Sequence, residues 1–411
     1  MAENELVELQ IDRLVYGGDA MGRLPDGRAA FLPFALPGEK VLAQIVEEKR
    51  GHVRAVPIKI LSASPERIQP RCRHFQTCGG CHYQHMPYDM QLRVKESVLR
   101  EQLERIAGIA SPPLKAIIPS PQPWNYRNFV QFHLAPEGRL GFNSAGSNRV
   151  VAVEECFLPL DALNEVWPNL DLEPVPDLTR VSLRAGAEDD IQLILESQSD
   201  LPEMEFELDM PISAVHLGRG VPLLLAGDPF VLMQVKEQVF KVSAGSFFQV
   251  NTAQAAAMVD EVLSLLPLNG SETLLDVYSG VGLFSAFLAP RVNRLIAVES
   301  SAAACDDFVA NLDAFDNVEL YMGAAEDILN HLPVKPDAVL LDPPRAGLAK
   351  PALDALVKMQ PGKIVYVSCD PATLARDLKR LISAGYRLDS CRPVDMFPQT
   401  YHVETVALLS I

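Results

Sequence analysis

Three groups of residues in this 411-residue chain have types and spacings that suit chemistry. The first is Cys369, which follows the apolar run Lys363-Ile-Val-Tyr-Val-Ser and precedes Asp370-Pro371 and a helix-like stretch. A cysteine there is a buried filler, a metal ligand or a nucleophile. The second is Cys72-x5-Cys78-x2-Cys81, with Cys156 further along. Structural zinc usually takes two Cys-x2-Cys pairs, so one tight pair with two distant cysteines suits a four-iron four-sulfur (4Fe-4S) cluster better. His74, His82 and His85 are alternative ligands and would suit zinc. The third is Asp276-Val-Tyr278-Ser-Gly280-Val-Gly282, whose glycines let backbone approach a ligand closely. A lone Gly-x-Gly is more often structural. No lysine follows it, which excludes a phosphate-binding P-loop, and Ser285 fills the third glycine position of the dinucleotide motif.

These residues need elements to position them. From about residue 245 helical and strand patterns alternate. A helix at 253–266 precedes the strand Thr273-Leu-Leu-Asp-Val. A helix at 283–289 leads to the strand Arg294-Leu-Ile-Ala-Val-Glu299, and a helix at 301–313 to Val318-Glu-Leu-Tyr. The strand Ala338-Val-Leu-Leu-Asp342, a helix at 350–359 and the strand at 364–368 follow. This pattern predicts an α/β fold with a parallel, doubly wound, Rossmann-like sheet. Ligands bind such sheets beyond the carboxyl ends of the strands, where the glycine turn, Glu299, Asp342 and Cys369 all fall.

Residues 5–62 alternate in short runs separated by Gly- and Pro-containing turns, which predicts a five-strand barrel. Residues 86–108 read as one helix. Residues 113–240 read as mixed strands joined by proline- and acid-rich loops, with Phe129–Leu134, 191–196 and 240–243 as the clearest strands. The expected division is 1–62, a mixed α+β central domain at 63–244 carrying the iron–sulfur cluster, and 245–411.

The net charge of −17 argues at first against a nucleic-acid partner, but the charge is uneven. Residues 151–240 hold 18 acidic and 4 basic residues, whereas 66–150 hold 11 basic and 6 acidic. A basic face therefore remains open beside the plainer reading of solvated surface charge. No apolar run reaches bilayer length. The acidic first residues do not resemble an export signal. With seven cysteines, this points to a reducing, cytoplasmic setting.

Residues 12–39, with Tyr16-Gly-Gly-Asp-Ala-Met-Gly and Phe31-Leu-Pro-Phe-Ala-Leu-Pro-Gly-Glu, resemble a TRAM domain. This is an oligonucleotide-binding-like barrel found on RNA-modifying enzymes. The glycine turn, Glu299 and Asp342-Pro-Pro resemble the class I S-adenosylmethionine methyltransferase fold. Four motifs in order are Ser246-Phe-Phe-Gln249-Val-Asn251, Asp342-Pro-Pro-Arg345-Ala-Gly347, Val367-Ser-Cys369-Asp-Pro371 and His402-Val-Glu404-Thr405. They resemble the RNA uracil-5-methyltransferases, and most closely the TRAM-bearing, iron–sulfur-containing members that act on 23S ribosomal RNA.

The resemblance implies a set of roles. Cys369 would be the nucleophile at uracil carbon 6 and Glu404 the base that removes the carbon 5 proton. Gln249, Tyr278, Gly280, Glu299 and Asp342 would contact S-adenosylmethionine. Cys72, Cys78, Cys81 and Cys156 would ligate a 4Fe-4S cluster, leaving Cys305 and Cys391 to packing. Leu283 and Ala324 offer no side-chain hydrogen bond to adenine. RNA contacts would come from the barrel, the basic segment and Arg345. Phe75, Tyr83, Trp124, Tyr126 and Phe129 are candidate base platforms, though each alone is more commonly core. The expected target is a uridine of 23S ribosomal RNA, or of the transfer RNA T-loop in related enzymes, modified by a monomer. The competing readings are a cytosine-5 RNA methyltransferase and a non-catalytic RNA-binding or redox-sensing iron–sulfur protein.

Overall fold

The computed structural model describes residues 5–135, 138–170, 177–188, 190–199 and 210–411. Much of the acid-rich stretch read as loops at 171–176 and 200–209 lies outside the described residues. The chain forms two compact units. One comprises Met1–Leu99, Phe142–Val151 and Phe397–His402, and the other comprises Arg100–Gly141, Ala152–Met396 and Val403–Ile411.

The first unit holds the expected barrel. Strands β1 (Leu6–Leu14), β2 (Ala20–Arg23), β3 (Ala29–Leu32), β4 (Lys40–Glu48) and β5 (His52–Ser62) close in the order β1-β2-β3-β5-β4. Alternation decides which side chains face inward. Leu9 and Ile11 are buried while Gln10 and Asp12 face outward, and Leu32, Val41, Ala43, Ile45 and Val53 complete the core. Gly22 is required where β2 crosses β1, because a Cβ there would lie 2.4 Å from the Gln10 carbonyl oxygen. Buried Glu39 ties the turn after β3. It accepts from Leu36 N at 2.8 Å and from Arg67 Nε and Nη2 at 2.6 and 2.7 Å, a forked pairing that satisfies both carboxylate oxygens. The helix read at 86–108 is α1 (Tyr88–Gln102), continued by a π turn over Leu103–Ala107 and ended by Gly108 at φ +76°. A left-handed terminal residue favours glycine.

Next come β6 (Phe129–Leu134), β7 (Leu140–Asn143), β8 (Val150–Ala152), α2 (Asp161–Val166), β9 (Leu178–Ala185), β10 (Ile191–Ser197), β11 (Ser213–Leu217) and β12 (Leu223–Ala226). The strands form one sheet in the order β12-β11-β10-β9-β6-β7-β8. A hairpin, β13 (Phe230–Val235) and β14 (Gln238–Ser243), leads into the last region.

That region is built from α3 (Thr252–Leu265), β15 (Thr273–Val277), α4 (Ser285–Leu288), β16 (Arg294–Glu299), α5 (Ala302–Asn311), β17 (Val318–Met322), α6 (Ala325–Ile328), β18 (Ala338–Leu341), α7 (Lys350–Met359), β19 (Lys363–Ser368), α8 (Pro371–Ser383), β20 (Arg387–Val394) and β21 (Glu404–Ser410). The sheet order is β17-β16-β15-β18-β19-β21-β20. Strands β15 to β19 are parallel, as the alternating pattern implies. The sheet is not wholly parallel, however. Strand β21 runs antiparallel to β19, and β20 antiparallel to β21. Strands β15, β18 and β19 carry continuous buried apolar runs, as expected where both faces of a sheet are covered.

Candidate active site

Strands β15, β16, β18 and β19 end along one edge of the sheet, and their last residues or the turns after them carry the chemistry. Beyond β15 the chain turns sharply, with Tyr278, Gly280 and Gly282 at φ +66°, +56° and +93°. The two glycines do different work. A Cβ on Gly282 would sit 2.3 Å from Leu312 Cδ1, so this glycine packs against α5. A Cβ on Gly280 would meet nothing within 4 Å, so the backbone there borders open space. Ser285, at the position where dinucleotide-binding chains have glycine, donates its hydroxyl to Asp276 Oδ2 at 2.5 Å. Buried Asp276 keeps Oδ1 without a partner.

Glu299 ends β16 and braces the turn. Its Oε2 accepts from Gly280 N at 2.9 Å, and its Oε1 accepts from Ser300 N and Ser301 N at 2.7 and 2.8 Å. Asp342 follows β18. Burial, then the charges of Asp276 and Glu299, push its carboxyl up to about 7. Burial and Glu299 raise Asp276 to about 7 as well, against the Ser285 hydrogen bond. Three carboxylates on neighbouring strand ends thus repel one another. A cation placed among them would relieve that repulsion.

Cys369 lies just past β19. The proline two residues on is explained by α8, which it starts: Asp370 is the N-cap, accepting from Ala372 N and Thr373 N at 3.0 and 2.9 Å, with Pro371 in the first turn. Proline suits that position because its missing N–H would be unpaired anyway. Register brings the base candidate to the thiol. Ser368 pairs with Thr405 across the antiparallel β19–β21 ladder, so Glu404 stands opposite Cys369. Glu404 is 4% exposed. Burial, then Asp342, push its carboxyl up to about 8, and Arg345 acts the other way. Burial pushes the Cys369 thiol up to about 12, helped by Glu404 and Asp342 and opposed by Arg345. One electrostatic group therefore joins Cys369, Glu404, Asp342 and Arg345.

Gln249 is buried on the segment between β14 and α3. Its backbone carbonyl accepts from Asn128 Nδ2 at 2.9 Å. Asn251 caps α3 through Gln254 N and donates to the Met396 carbonyl at 3.3 Å. Farther back, Asp307 accepts from Ser243 N and Oγ at 2.8 and 2.7 Å and from Ser246 Oγ at 2.6 Å. Arg184 donates to the Ser243 and Ser246 carbonyls at 2.8 and 2.7 Å. Sequence reasoning missed Asn128, Arg184 and Asp307, and read Ser285 only as a departure from the dinucleotide motif. The visible signal was polar residues inside apolar runs, as with Arg184 in β9.

Among the described residues no three His, Cys, Asp or Glu side chains are gathered to hold a metal. Cys72, Cys78 and Cys81 belong to the first unit and Cys156 to the second. Cys78 Sγ accepts from Gly80 N at 3.4 Å, and burial raises its thiol, with Cys72 adding to the rise. The described residues show no assembled four-thiolate cluster, and no step below passes through one. The alternative ligand His85 is buried against Phe75 and Phe34. Burial pushes His82 and His85 down to about 4. Cys305 and Cys391 are buried, as packing residues are.

Of the proposed base platforms, Phe75, Tyr83 and Tyr126 are core residues, and Trp124 and Phe129 are half-buried. Among the described residues, the phenylalanine that stands in solvent is Phe247, 68% exposed, two residues before Gln249. The basic segment is also partly spent on internal pairs: Arg67 with Glu39, Arg93 with Asp89 and Glu66, and Lys115 with Glu261. No helix among the described residues is long and apolar enough to cross a membrane.

Comparison with known proteins gives concordant matches. A family model described as tRNA (uracil-5-)-methyltransferase matches residues 228–411, and a TRAM domain model matches residues 2–58. An uncharacterized RNA methyltransferase of Halalkalibacterium halodurans is 33% identical over 100% of this chain and 98% of its own. One from Aquifex aeolicus is 35% identical over 98% of each. Among solved structures, the Pyrococcus abyssi tRNA (uracil-54, C5)-methyltransferase, in complex with S-adenosyl-L-homocysteine, is 28% identical. It superposes with a TM-score of 0.74, covering 98% of this chain and 99% of that one.

Proposed function

Since the chain belongs to the S-adenosylmethionine-dependent RNA uracil-5-methyltransferase family, we propose that it makes 5-methyluridine with Cys369 as nucleophile and Glu404 as base. The observation that carries this reading is the β19–β21 register, which sets a carboxyl opposite a thiol at the sheet edge. Carbon 5 of uracil is a poor nucleophile. Addition of the Cys369 sulfur at carbon 6 forms a C–S bond and moves the ring's double-bond electrons into an enolate, which makes carbon 5 nucleophilic. S-adenosylmethionine, when bound, supplies a methyl group on a cationic sulfur. After the carbon–carbon bond forms, Glu404 takes the carbon 5 proton, the C5–C6 double bond returns and the sulfur leaves. A carboxyl whose pKa is about 8 is, once ionised, a stronger base than an ordinary carboxylate and lies near the operating pH that favours general-base work.

The donor fits the residues present. Its positive charge suits the Asp276, Glu299 and Asp342 group, with the partnerless Asp276 Oδ1 and the open space over Gly280 beside it. Within this reading Glu299 holds the ribose, Tyr278, Gly280 and Gln249 complete the donor contacts, and Asp342 also holds the uracil edge.

For the RNA we propose large-subunit ribosomal RNA as target, on the ground of the TRAM-bearing make-up. The transfer RNA T-loop is the second reading. It is favoured by the full-length likeness to the Pyrococcus abyssi enzyme, whose target is transfer RNA uridine 54. The three-part division at 62/63 and 244/245 and a cytoplasmic monomer belong to the same proposal. The cluster expectation rests on cysteine spacing and family resemblance; iron and sulfide analysis of anaerobically purified protein decides it, and absence of both removes it.

The experiment is trapping. The protein is incubated with S-adenosylmethionine and 5-fluorouridine-containing ribosomal or transfer RNA fragments. Fluorine at carbon 5 cannot leave as a proton, so a denaturation-stable adduct is expected, lost in Cys369→Ala, and the trapped fragment identifies the RNA. No adduct with either RNA overturns the mechanism. Formation of 5-methylcytidine in place of 5-methyluridine overturns the substrate.

A further inference from the structure

The loop after β18 carries Asp342 and Arg345, yet it has no regular structure of its own. It is held by one face of α8. Thr373 Oγ1 donates to the Arg345 carbonyl at 3.1 Å. Arg376 Nη2 donates to the Ala346 and Leu348 carbonyls at 2.9 and 3.4 Å. Asp377 Oδ2 accepts from Leu348 N at 2.9 Å and from the Tyr366 hydroxyl at 2.9 Å, while Oδ1 accepts from Arg376 Nε at 2.8 Å. Positions 373, 376 and 377 are three and four residues apart and so share a helix face. Asp377 is 1% exposed, and its oxygens are spent on these donors. Gly347 completes the clasp. Its φ is +72°, and a Cβ there would lie 2.6 Å from Asp377 Oδ2. The same helix begins immediately after Cys369.

We propose that Asp377 is a positioning residue: through Leu348 N and Arg376 it fixes the loop so that the Arg345 guanidinium keeps its place beside Cys369 and Glu404. The nucleophile and the cation that tempers it are hung on one helix and move together. The groups facing the Cys369 sulfur are Glu404 from β21, Asp342 and Arg345 from the loop after β18, and Asp370 from the α8 cap. Arg345 is the cation among them. Loosening the loop therefore leaves the thiol among carboxylates alone and makes it harder to ionise. The inference rests on the roles given above to Cys369 and Glu404.

The test is the pH dependence of Cys369 alkylation by iodoacetamide in the full-length protein, followed by peptide mass spectrometry. Wild type is compared with Asp377→Asn, Thr373→Val, Arg345→Met and the Arg345→Met/Asp377→Asn double variant. Asp377→Asn and Arg345→Met should each slow alkylation at pH 9 by roughly threefold or more, the effect of about half a unit in the thiol. The double variant should be no slower than Arg345→Met, because both changes act through one guanidinium. Thr373→Val, which removes the bond to the Arg345 carbonyl and the longer bonds to Asp370 O and Oδ1 while leaving the Thr373 N–H on the Asp370 cap, should act in the same direction. If Asp377→Asn does not fold, Thr373→Val carries the test. A folded variant with a lowered melting temperature and an unchanged alkylation profile would make the role purely structural and overturn the proposal. Additive slowing in the double variant would do the same. Failure of the catalytic reading is distinguishable: the RNA adduct would then be absent from wild type, or survive in Cys369→Ala, whatever the alkylation profiles.

Discussion

Glu404→Gln should stabilise the protein, and stabilise it more as pH rises. The Glu404 carboxyl is held at about 8 in the fold, against an ordinary value of 4.5. A carboxyl raised on folding favours the folded state fully only below its unfolded value; that contribution is lost as pH rises through the folded value. In the unfolded chain Glu404 ionises above 4.5, whereas in the fold it resists until about 8. The cost of burying it is then roughly 2 kcal/mol at pH 6 and roughly 4 to 5 kcal/mol at pH 8.5, from 1.36 kcal/mol per unit. Glutamine keeps the shape and has no charge to lose. Thermal unfolding of wild type and Glu404→Gln at pH 6 and pH 8.5 should show a stabilisation of a few degrees at the higher pH and about half that at the lower. Turnover should fall by about two to four powers of ten, the usual worth of a positioned acid or base. A pH-independent stability difference, or a glutamine variant less stable than wild type at pH 8.5, would refute the account of Glu404 as a buried carboxyl kept for chemistry at a cost in stability.

Further outcomes follow from the same geometry. Affinity for S-adenosylmethionine, measured by calorimetry, should fall as pH drops from 8 to 6, because Asp276 and Asp342 take up protons near 7. The expected loss is about tenfold for each carboxylate whose ionised form the cation needs. S-adenosylhomocysteine, which lacks the sulfonium charge, should lose less, and equal losses would sink the cation argument. Gly282→Ala should destabilise by about 2 kcal/mol or more in denaturant unfolding, and Gly280→Ala by only about 1 kcal/mol. Both have positive φ, but only Gly282 would drive its Cβ into Leu312; equal costs would count against the packing assignment. Asp307→Ala should cost about 2 to 4 kcal/mol by stranding the Ser243 and Ser246 donors and should weaken donor binding through the Gln249 segment. Unchanged stability would remove Asp307 as the anchor of that loop.

The apolar runs 273–277, 294–299 and 338–341 were legible as strands because a sheet covered on both faces demands unbroken hydrophobicity. Their ends put Tyr278, Glu299 and Asp342 in place without further information. The helix read at 283–289 was less so: the α turn stops at Leu288, and Pro290 lies in a 3-10 turn that ends by Arg291. The Cys369–Glu404 pairing was not legible from local pattern. The two residues are far apart in sequence, and only the antiparallel return of β21 brings them together. That return has no sequence period of its own that distinguishes it from another parallel strand, so it was recovered only through family resemblance. The clasp on α8 was equally hidden. Asp377 sits in a helix whose polar residues read as solvent-facing, and its burial depends on a loop that lies some thirty residues upstream.

The capped start of α8 has a consequence for substrate choice. Strand β19 fixes the backbone before Cys369, and Asp370 with Pro371 fixes it after, so the sulfur has little freedom beyond one side-chain rotation. The thiol cannot reach for a stacked base. On the proposed mechanism the geometric accommodation falls to the RNA, whose uridine must leave its stack, and the energy of that extrusion differs among sites. Two uridines with identical flanking letters would then be distinguished by how cheaply each can be turned out. Selection would rest on the mechanical compliance of the RNA as much as on its sequence.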